Sequence, residues 1–553
     1  MRKLVIICIL ALAAFPCFAE VAEKLNIVPY PENVTIEDGR FNIAGSCIRY
    51  EGNVDDDTKA LAERFAAQLS LTTGKKSVVK NGKGKGINLI LDPSLAEEAY
   101  KMNVGKKSVE IYASSLRGFN WGVQSLKQIM PVEVYGKVAA TDVNWSVPCC
   151  TISDAPRFGY RGLLIDEARH FFGEKTIKDV IDIMEIHKLN TLHWHITDDQ
   201  GWRIEIKKYP LLTEVGSIRK ETLVGHLRRS TEYDGTPYGE GMWYSQDQVR
   251  DIINYAAARG ITIIPEIDLP GHMQAALTAY PYLGCTGGPY EVWTKWGVSK
   301  DVLCMGKNTT IEFIKDVLAE ICDLFPAKFI HIGGDECPKV RWAECPHCQQ
   351  KIQELGIKAD DKHSAEHFLQ SYVTAEAEKY LNSRGRRLIG WDEILEGELA
   401  PDATVMSWRG TSGGEAAAKM GHDVIMTPYQ YLYIDYYQSK DQQNEPLAIG
   451  GYVPVERCYS FEPFTETMTP EEKAHIIGVQ TNLWTEYIGT QEYLEYMLLP
   501  RLAAVSEVQW CAPENKIWER FLDSTDEVLK IYETAGYNHA KHILQVQKEA
   551  QKE

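Results

Sequence analysis

The sequence predicts a (β/α)8 TIM barrel catalytic domain preceded by a small α/β accessory domain and followed by a C-terminal helical tail. Two observations carry this. From Arg161 to Trp510, short apolar runs recur eight times, and each ends in a cluster of charged or aromatic residues. Between several of these runs lie amphipathic stretches with helix start and stop signals. Regular alternation of strand and helix over such a length is the pattern of a closed parallel barrel.

The expected strands are residues 163–165, 191–196, 261–264, 329–332, 388–391, 405–408, 424–426 and 476–479. Among the intervening helices, Ser245 with Gln248 and Thr309 with Glu312 have the spacing of a capping box. Gly260, Gly385 and Gly421 stand where C-terminal caps belong. Before the barrel, β-like runs at 87–91 and 109–113 mix with helical stretches at 58–70 and 120–129, which predicts the accessory domain. The resulting division is a signal segment at 1–19, the accessory domain at 20–153, the barrel at 154–510 and the tail at 511–553.

Arg2 and Lys3, an apolar stretch at 4–15 and the small-residue site Cys17-Phe18-Ala19 read as an export signal. The expected address is the periplasm, with lipid anchoring at Cys17 as the alternative, disfavoured by Phe15-Pro16. No later segment approaches the ~20 apolar residues of a membrane span. A formal charge of −18 argues against nucleic acid or anionic lipid as a partner, whereas a neutral sugar tolerates it. With 44% hydrophobic and 10% aromatic residues, the 553-residue chain can build a large core and an aromatic-lined site. Of 13 cysteines, Cys8 and Cys17 fall in the signal, which leaves an odd number. Cys285 and Cys304 are the first candidate disulfide, and Cys337, Cys345 and Cys348, lacking regular zinc spacing, are read as disulfide cysteines too.

The richest segment is His-Ile-Gly-Gly-Asp-Glu at 331–336, where a buried strand reaches two glycines and then delivers Asp335 and Glu336. Adjacent carboxyls in a partly dry cleft cannot both ionise cheaply, so one is held protonated near neutral pH, as glycoside hydrolysis requires. Catalytic groups of this barrel sit at the C-terminal ends of its strands. Reading those ends adds Asp166, Arg169 and His170, then Asp198 and Asp199, then Glu266, Asp268 and His272. Later strands add Trp391, Asp392 and Glu393, then Trp408 and Arg409, Tyr433 and Asp435, and finally Trp484 and Glu486. The three tryptophans suit a wall against the apolar faces of a sugar. Arg161, at the start of the first strand, has the planar fork of donors that fits two adjacent hydroxyls, or is a structural partner of a carboxylate. His193 and His195 share one strand face, a geometry used by metal-dependent hydrolases, although hydrogen-bonded barrel histidines are the simpler reading.

Taken together, Arg161 to His170, His193 to Asp199, Pro265 to His272, His331 to Glu336, Gly390 to Glu393 and Leu483 to Glu486 resemble the exo-β-N-acetylhexosaminidases of glycoside hydrolase family 20, in the family's order. The resemblance implies that Glu336 is the general acid and base, and that Asp335 orients the substrate's 2-acetamido group. It also implies that Tyr433 donates to the acetamido carbonyl. By the same resemblance Arg161, Asp435 and Glu486 hold sugar hydroxyls, Trp391, Trp408 and Trp484 wall the pocket, and Asp198 and His272 steady the acid. The family is known for substrate-assisted catalysis. The implied function is retaining hydrolysis of terminal β-linked GlcNAc or GalNAc from an oligosaccharide or glycoconjugate through an oxazolinium intermediate, with no cofactor or metal. The alternatives are a metal-dependent TIM-barrel hydrolase and a non-catalytic glycan-binding protein on the same scaffold.

Overall fold

The computed structural model describes residues 24–550, so the signal segment lies outside the described residues. The accessory domain is a seven-stranded mixed sheet, with helices Asp56–Thr73 and Leu116–Gln128. The first helix starts on Asp55, whose carboxylate accepts from the Thr58 amide, and stops at Gly74 in the left-handed conformation.

The barrel closes as expected, each strand hydrogen-bonded in parallel to its neighbours. In order, its strands are Tyr160–Asp166, Thr191–His195, Thr262–Glu266, Phe329–His331, Arg387–Trp391, Thr404–Ser407, Val424–Met426 and Ile476–Leu483. Most of their residues are buried because helices cover the outside and side chains fill the inside. The interior layer holds Tyr160, Leu164, Ile264, Ile389, Trp391, Met406 and Ile425, with Trp408 and Trp484 resting on it. Helices Trp518–Ala535 and Ile543–Ala550 follow the barrel as the tail.

The Ser245–Gln248 capping box is present, and Gly260, Gly385 and Gly421 have φ of 71°, 70° and 86°. Thr309, by contrast, lies inside helix Asn308–Leu324, whose cap is Lys307, two residues earlier than the capping pattern suggests. All eleven described cysteines are free thiols, so neither the Cys285–Cys304 bridge nor a bridge among Cys337, Cys345 and Cys348 is formed.

Candidate active site

The turn after the fourth barrel strand is built by its glycines. The Gly333 amide donates to His331 Nδ1 at 3.0 Å, and the Gly334 amide donates to Asp268 Oδ1 at 3.2 Å. Both glycines have positive φ, 66° and 96°, and a Cβ on Gly333 would fall 1.8 Å from Asp268 Oδ1. The chain then reaches Glu336 in the left-handed region, at φ 43°, which is strained for a side chain of that size. Asp335 is left with 14% of its side chain exposed and Glu336 with 49%.

The two carboxylates converge on one imidazole: His272 Nε2 stands 3.7 Å from Asp335 Oδ2 and 3.8 Å from Glu336 Oε2. On its other side, the His272 ring meets Asp198 Oδ1 at 3.0 Å and Asp199 Oδ2 at 3.4 Å. Burial opposes a charge on His272, but these aspartates outweigh it and hold the imidazole protonated well above its usual range. Asp198 also meets Arg169 Nη2 at 2.8 Å and His195 Nε2 at 2.9 Å. Burial works against the Asp198 anion, yet the Arg169 and His272 cations hold its carboxyl well below the ordinary value. Glu336 is pushed up by burial first and by the Asp335 charge second. Burial raises Asp335 too, while the His272 cation opposes that rise. Both carboxyls are thus raised, so the pair is disposed to retain a proton.

At the same end of the barrel, Tyr433 stacks on Trp408 at 6.1 Å between ring centroids and leans on Trp484 at 6.3 Å. Burial, followed by the charge of Asp435 and more weakly that of Asp335, raises the Tyr433 phenol well above its usual range, so it stays a donor. Asp435 is 3% exposed, and neither of its carboxylate oxygens has a partner in another residue. Such an orphaned buried acceptor suits a ligand hydroxyl. Burial and neighbouring Glu486 raise its pKa well above the ordinary range. Glu486 is itself raised by burial, with the Arg169 cation opposing. Trp408 donates to Glu393 Oε2 at 2.9 Å, and burial together with Asp335 lifts Glu393 to about 8. The sequence places Glu393 at the end of the fifth strand but assigns it no role.

Two expectations change. Trp391 is 1% exposed and donates to Glu266 Oε1 at 2.8 Å, so it forms the floor beneath the site while Trp408 and Trp484 remain partly open. Arg161 does not reach the site. It lies at the N-terminal end of its strand, 1% exposed, bonded to the Lys188 and Phe158 carbonyls and paired with Glu98 of the accessory domain. The arginine at the site is Arg169, which bridges Asp166 Oδ2 at 3.0 Å and Asp198, and lies 5.2 Å from the Trp484 ring centre.

His193 and His195 point inward. Glu266 is hydrogen-bonded to His195 Nδ1 at 2.5 Å and to the Trp391 indole, and lies 3.1 Å from His193 Nε2 and 3.0 Å from His331 Nδ1, the nitrogen that accepts the Gly333 amide. Gln480 Nε2 engages the other His193 nitrogen at 3.0 Å. The histidine pair of the metal-dependent reading is thus a hydrogen-bonded layer under the carboxylates.

Comparison with known proteins agrees with this geometry. The catalytic-domain model of glycosyl hydrolase family 20 matches residues 158–513, and that family's domain 2 matches residues 24–155. The chain is 43% identical over 526 residues to a beta-hexosaminidase of Porphyromonas gingivalis, covering 94% of this chain and 65% of that protein, just under two thirds of its length. It is 35% identical to a beta-hexosaminidase of Vibrio furnissii, covering 88% of this chain and 76% of the relative. Among solved structures, the exo-β-N-acetylglucosaminidase of Vibrio harveyi in complex with N-acetylglucosamine superposes with a TM-score of 0.81 at 31% identity, over 94% of this chain and 78% of the other. A Streptomyces plicatus N-acetyl-β-hexosaminidase matches with a TM-score of 0.80 at 29% identity, over 94% and 96% of the two chains. The chain belongs to glycoside hydrolase family 20.

Proposed function

We propose that this protein is a retaining exo-β-N-acetylhexosaminidase that removes terminal β-linked GlcNAc or GalNAc from glycans with the substrate's own acetamido group as nucleophile. The observation that carries the reading is the placement of Asp335 and Glu336 within 4 Å of the same His272 nitrogen, at the rim of a closed barrel. Adjacent carboxyls on one turn do not flank a glycosidic bond as acid and opposed nucleophile. Glu336 instead gives its proton to the leaving oxygen, and the acetamido oxygen attacks the anomeric carbon. Asp335 accepts the acetamido N–H and stabilises the positive charge that develops on the oxazolinium ring. Tyr433 donates to the acetamido oxygen. Such an internal nucleophile contributes on the order of 7 to 11 kcal/mol relative to a bimolecular encounter. Glu336 then takes a proton from water as the ring opens, and two inversions give net retention.

Asp435, Glu486 and Arg169 are assigned to the hydroxyls of the terminal sugar, with Trp408 and Trp484 as walls and Trp391 as floor. Asp198 and His272 are assigned to positioning the carboxylates. The decisive comparison is between an aryl N-acetyl-β-glucosaminide and the aryl β-glucoside. Near-total loss of turnover on the glucoside is expected, and comparable rates on both would refute acetamido participation. Export to the periplasm belongs to the same proposal, supported by Arg2, Lys3 and the apolar stretch after them. Among the described residues, no helix is long and apolar enough to cross a membrane. N-terminal sequencing of the mature protein is expected to begin near Glu20, and an intact Met1 would overturn the export reading.

A further inference from the structure

We infer that Cys285, Cys304, Cys345 and Cys348 form a structural zinc site that ties the loop after the third barrel strand to the segment after the fourth. The four sulfurs lie within 4.8 Å of one another. Cys285 and Cys348 are 3.9 Å apart, Cys304 and Cys345 3.7 Å, and Cys304 and Cys348 3.6 Å. A disulfide needs ~2.05 Å. Four thiolates at ~2.3 Å around tetrahedral zinc stand ~3.8 Å apart, which is the spacing found. Closed all-sulfur tetrahedra favour zinc over harder cations, and a site with all four positions filled by protein is structural, not catalytic.

The backbone around the sulfurs is organised independently of any ion. Cys304 donates its amide to the Leu283 carbonyl at 2.8 Å, and Gly284 and Leu303 pair as an antiparallel bridge. The Lys307 ammonium pins the Tyr282 and Gly284 carbonyls at 2.9 and 2.7 Å. From the other side, the Trp342 indole donates to the Leu303 carbonyl at 2.8 Å. Gly306 crosses directly over the Cys345–Cys348 turn, where a Cβ would come within 2.1 Å of the His347 carbonyl carbon and 2.4 Å of the Cys348 amide. Cys304, Cys345 and Cys348 are buried and Cys285 is half-buried, so the set is enclosed with one corner near solvent. The two joined segments follow the strands that deliver Asp268 with His272, and Asp335 with Glu336.

The test uses the full-length protein purified without added metal and dialysed exhaustively. Elemental analysis is expected to find about one zinc per chain. A mercurial thiol reagent should release it in step with thiol modification, and Cys345→Ser/Cys348→Ser protein should carry none and melt at lower temperature. Less than about a tenth of an equivalent of zinc, iron in its place, or an unreduced mass lighter by the hydrogens of two disulfides would overturn the proposal. Should the double variant fail to fold, the metal content and mass of the wild-type protein decide the matter, and neither depends on which substrate the enzyme cleaves.

Discussion

At the scale of single residues, the working pair is set by charge. Glu336 must hold a proton to begin the reaction, and burial and the Asp335 anion both raise its pKa. Because the acid is lost on deprotonation, kcat/KM should fall as pH rises through that raised value. Asp335→Asn removes one of the two upward pushes, so the fall should move to lower pH, and kcat should drop ~10²- to 10³-fold with a much smaller change in KM. An unmoved pH limb would mean that Asp335 does not act on Glu336. Arg169→Met is expected to lower kcat/KM on the order of 100-fold or more, because it strips a cation from Asp198 and Glu486 as well as a donor from the sugar. Steady-state kinetics beside a melting curve separates that loss from misfolding. The positions of the acids and the tryptophans are legible in the sequence because they follow apolar runs, whereas Tyr433 is singled out from its neighbouring tyrosines only by the family resemblance. Assigning the hydroxyl-binding role to Arg161 was the exception. It opens its strand, and the rule that sites form at C-terminal strand ends, applied strictly, already points to Arg169, three residues past Asp166.

At the scale of elements, the fourth strand and its turn show why two glycines precede the acids. The left-handed backbone at Gly333 and Gly334 reverses the chain against Asp268, and the reversal places the next two side chains over the barrel mouth. Gly333→Ala forces a Cβ to 1.8 Å from Asp268 Oδ1, so the turn must shift. A displacement of ~1 Å at the reacting groups costs on the order of 100-fold in rate, and kcat should fall by about that much. Gly385→Ala is the control. It has φ of 70° with nothing within 4 Å of the added carbon, so it should cost only ~1–2 kcal/mol of stability and leave kcat alone. Equal kinetic effects from the two substitutions would remove the special role of the turn. Strand positions and glycine caps could be read from periodicity, whereas the cysteine cluster could not. Only Cys345 and Cys348 are close in sequence, and the other two sulfurs reach them through long loops whose path leaves no linear pattern.

At the scale of the molecule, the accessory domain is joined to the bottom of the barrel by buried charge. Glu98 receives Arg161, the Trp121 indole at 2.9 Å and Asn190 Nδ2 at 2.9 Å, and meets Arg117 at 3.4 Å. Beside it, the Lys188 ammonium is fully buried 3.1 Å from Asp154, and Arg64 reaches from the accessory domain to Glu185 of the barrel at 2.5 Å. Burial works against the Glu98 anion, but Arg161 and Arg117 outweigh it and depress its pKa. A depressed carboxyl contributes stability that is complete above the unfolded value, about 4.3, and is lost as pH falls through the folded value. Glu98→Gln leaves the Arg161 guanidinium buried without its counter-ion, which should cost on the order of 3–5 kcal/mol at neutral pH. The Tm of the variant should therefore lie well below that of the parent at pH 7, and the gap should narrow in acid, where the parent's Glu98 also becomes neutral. Since this network sits at the face of the barrel opposite Asp335 and Glu336, kcat and KM of the folded variant should match those of the parent. A gap in Tm that stays unchanged as the pH is lowered through the carboxylate range would show that the ion pair is not what fastens the two domains together.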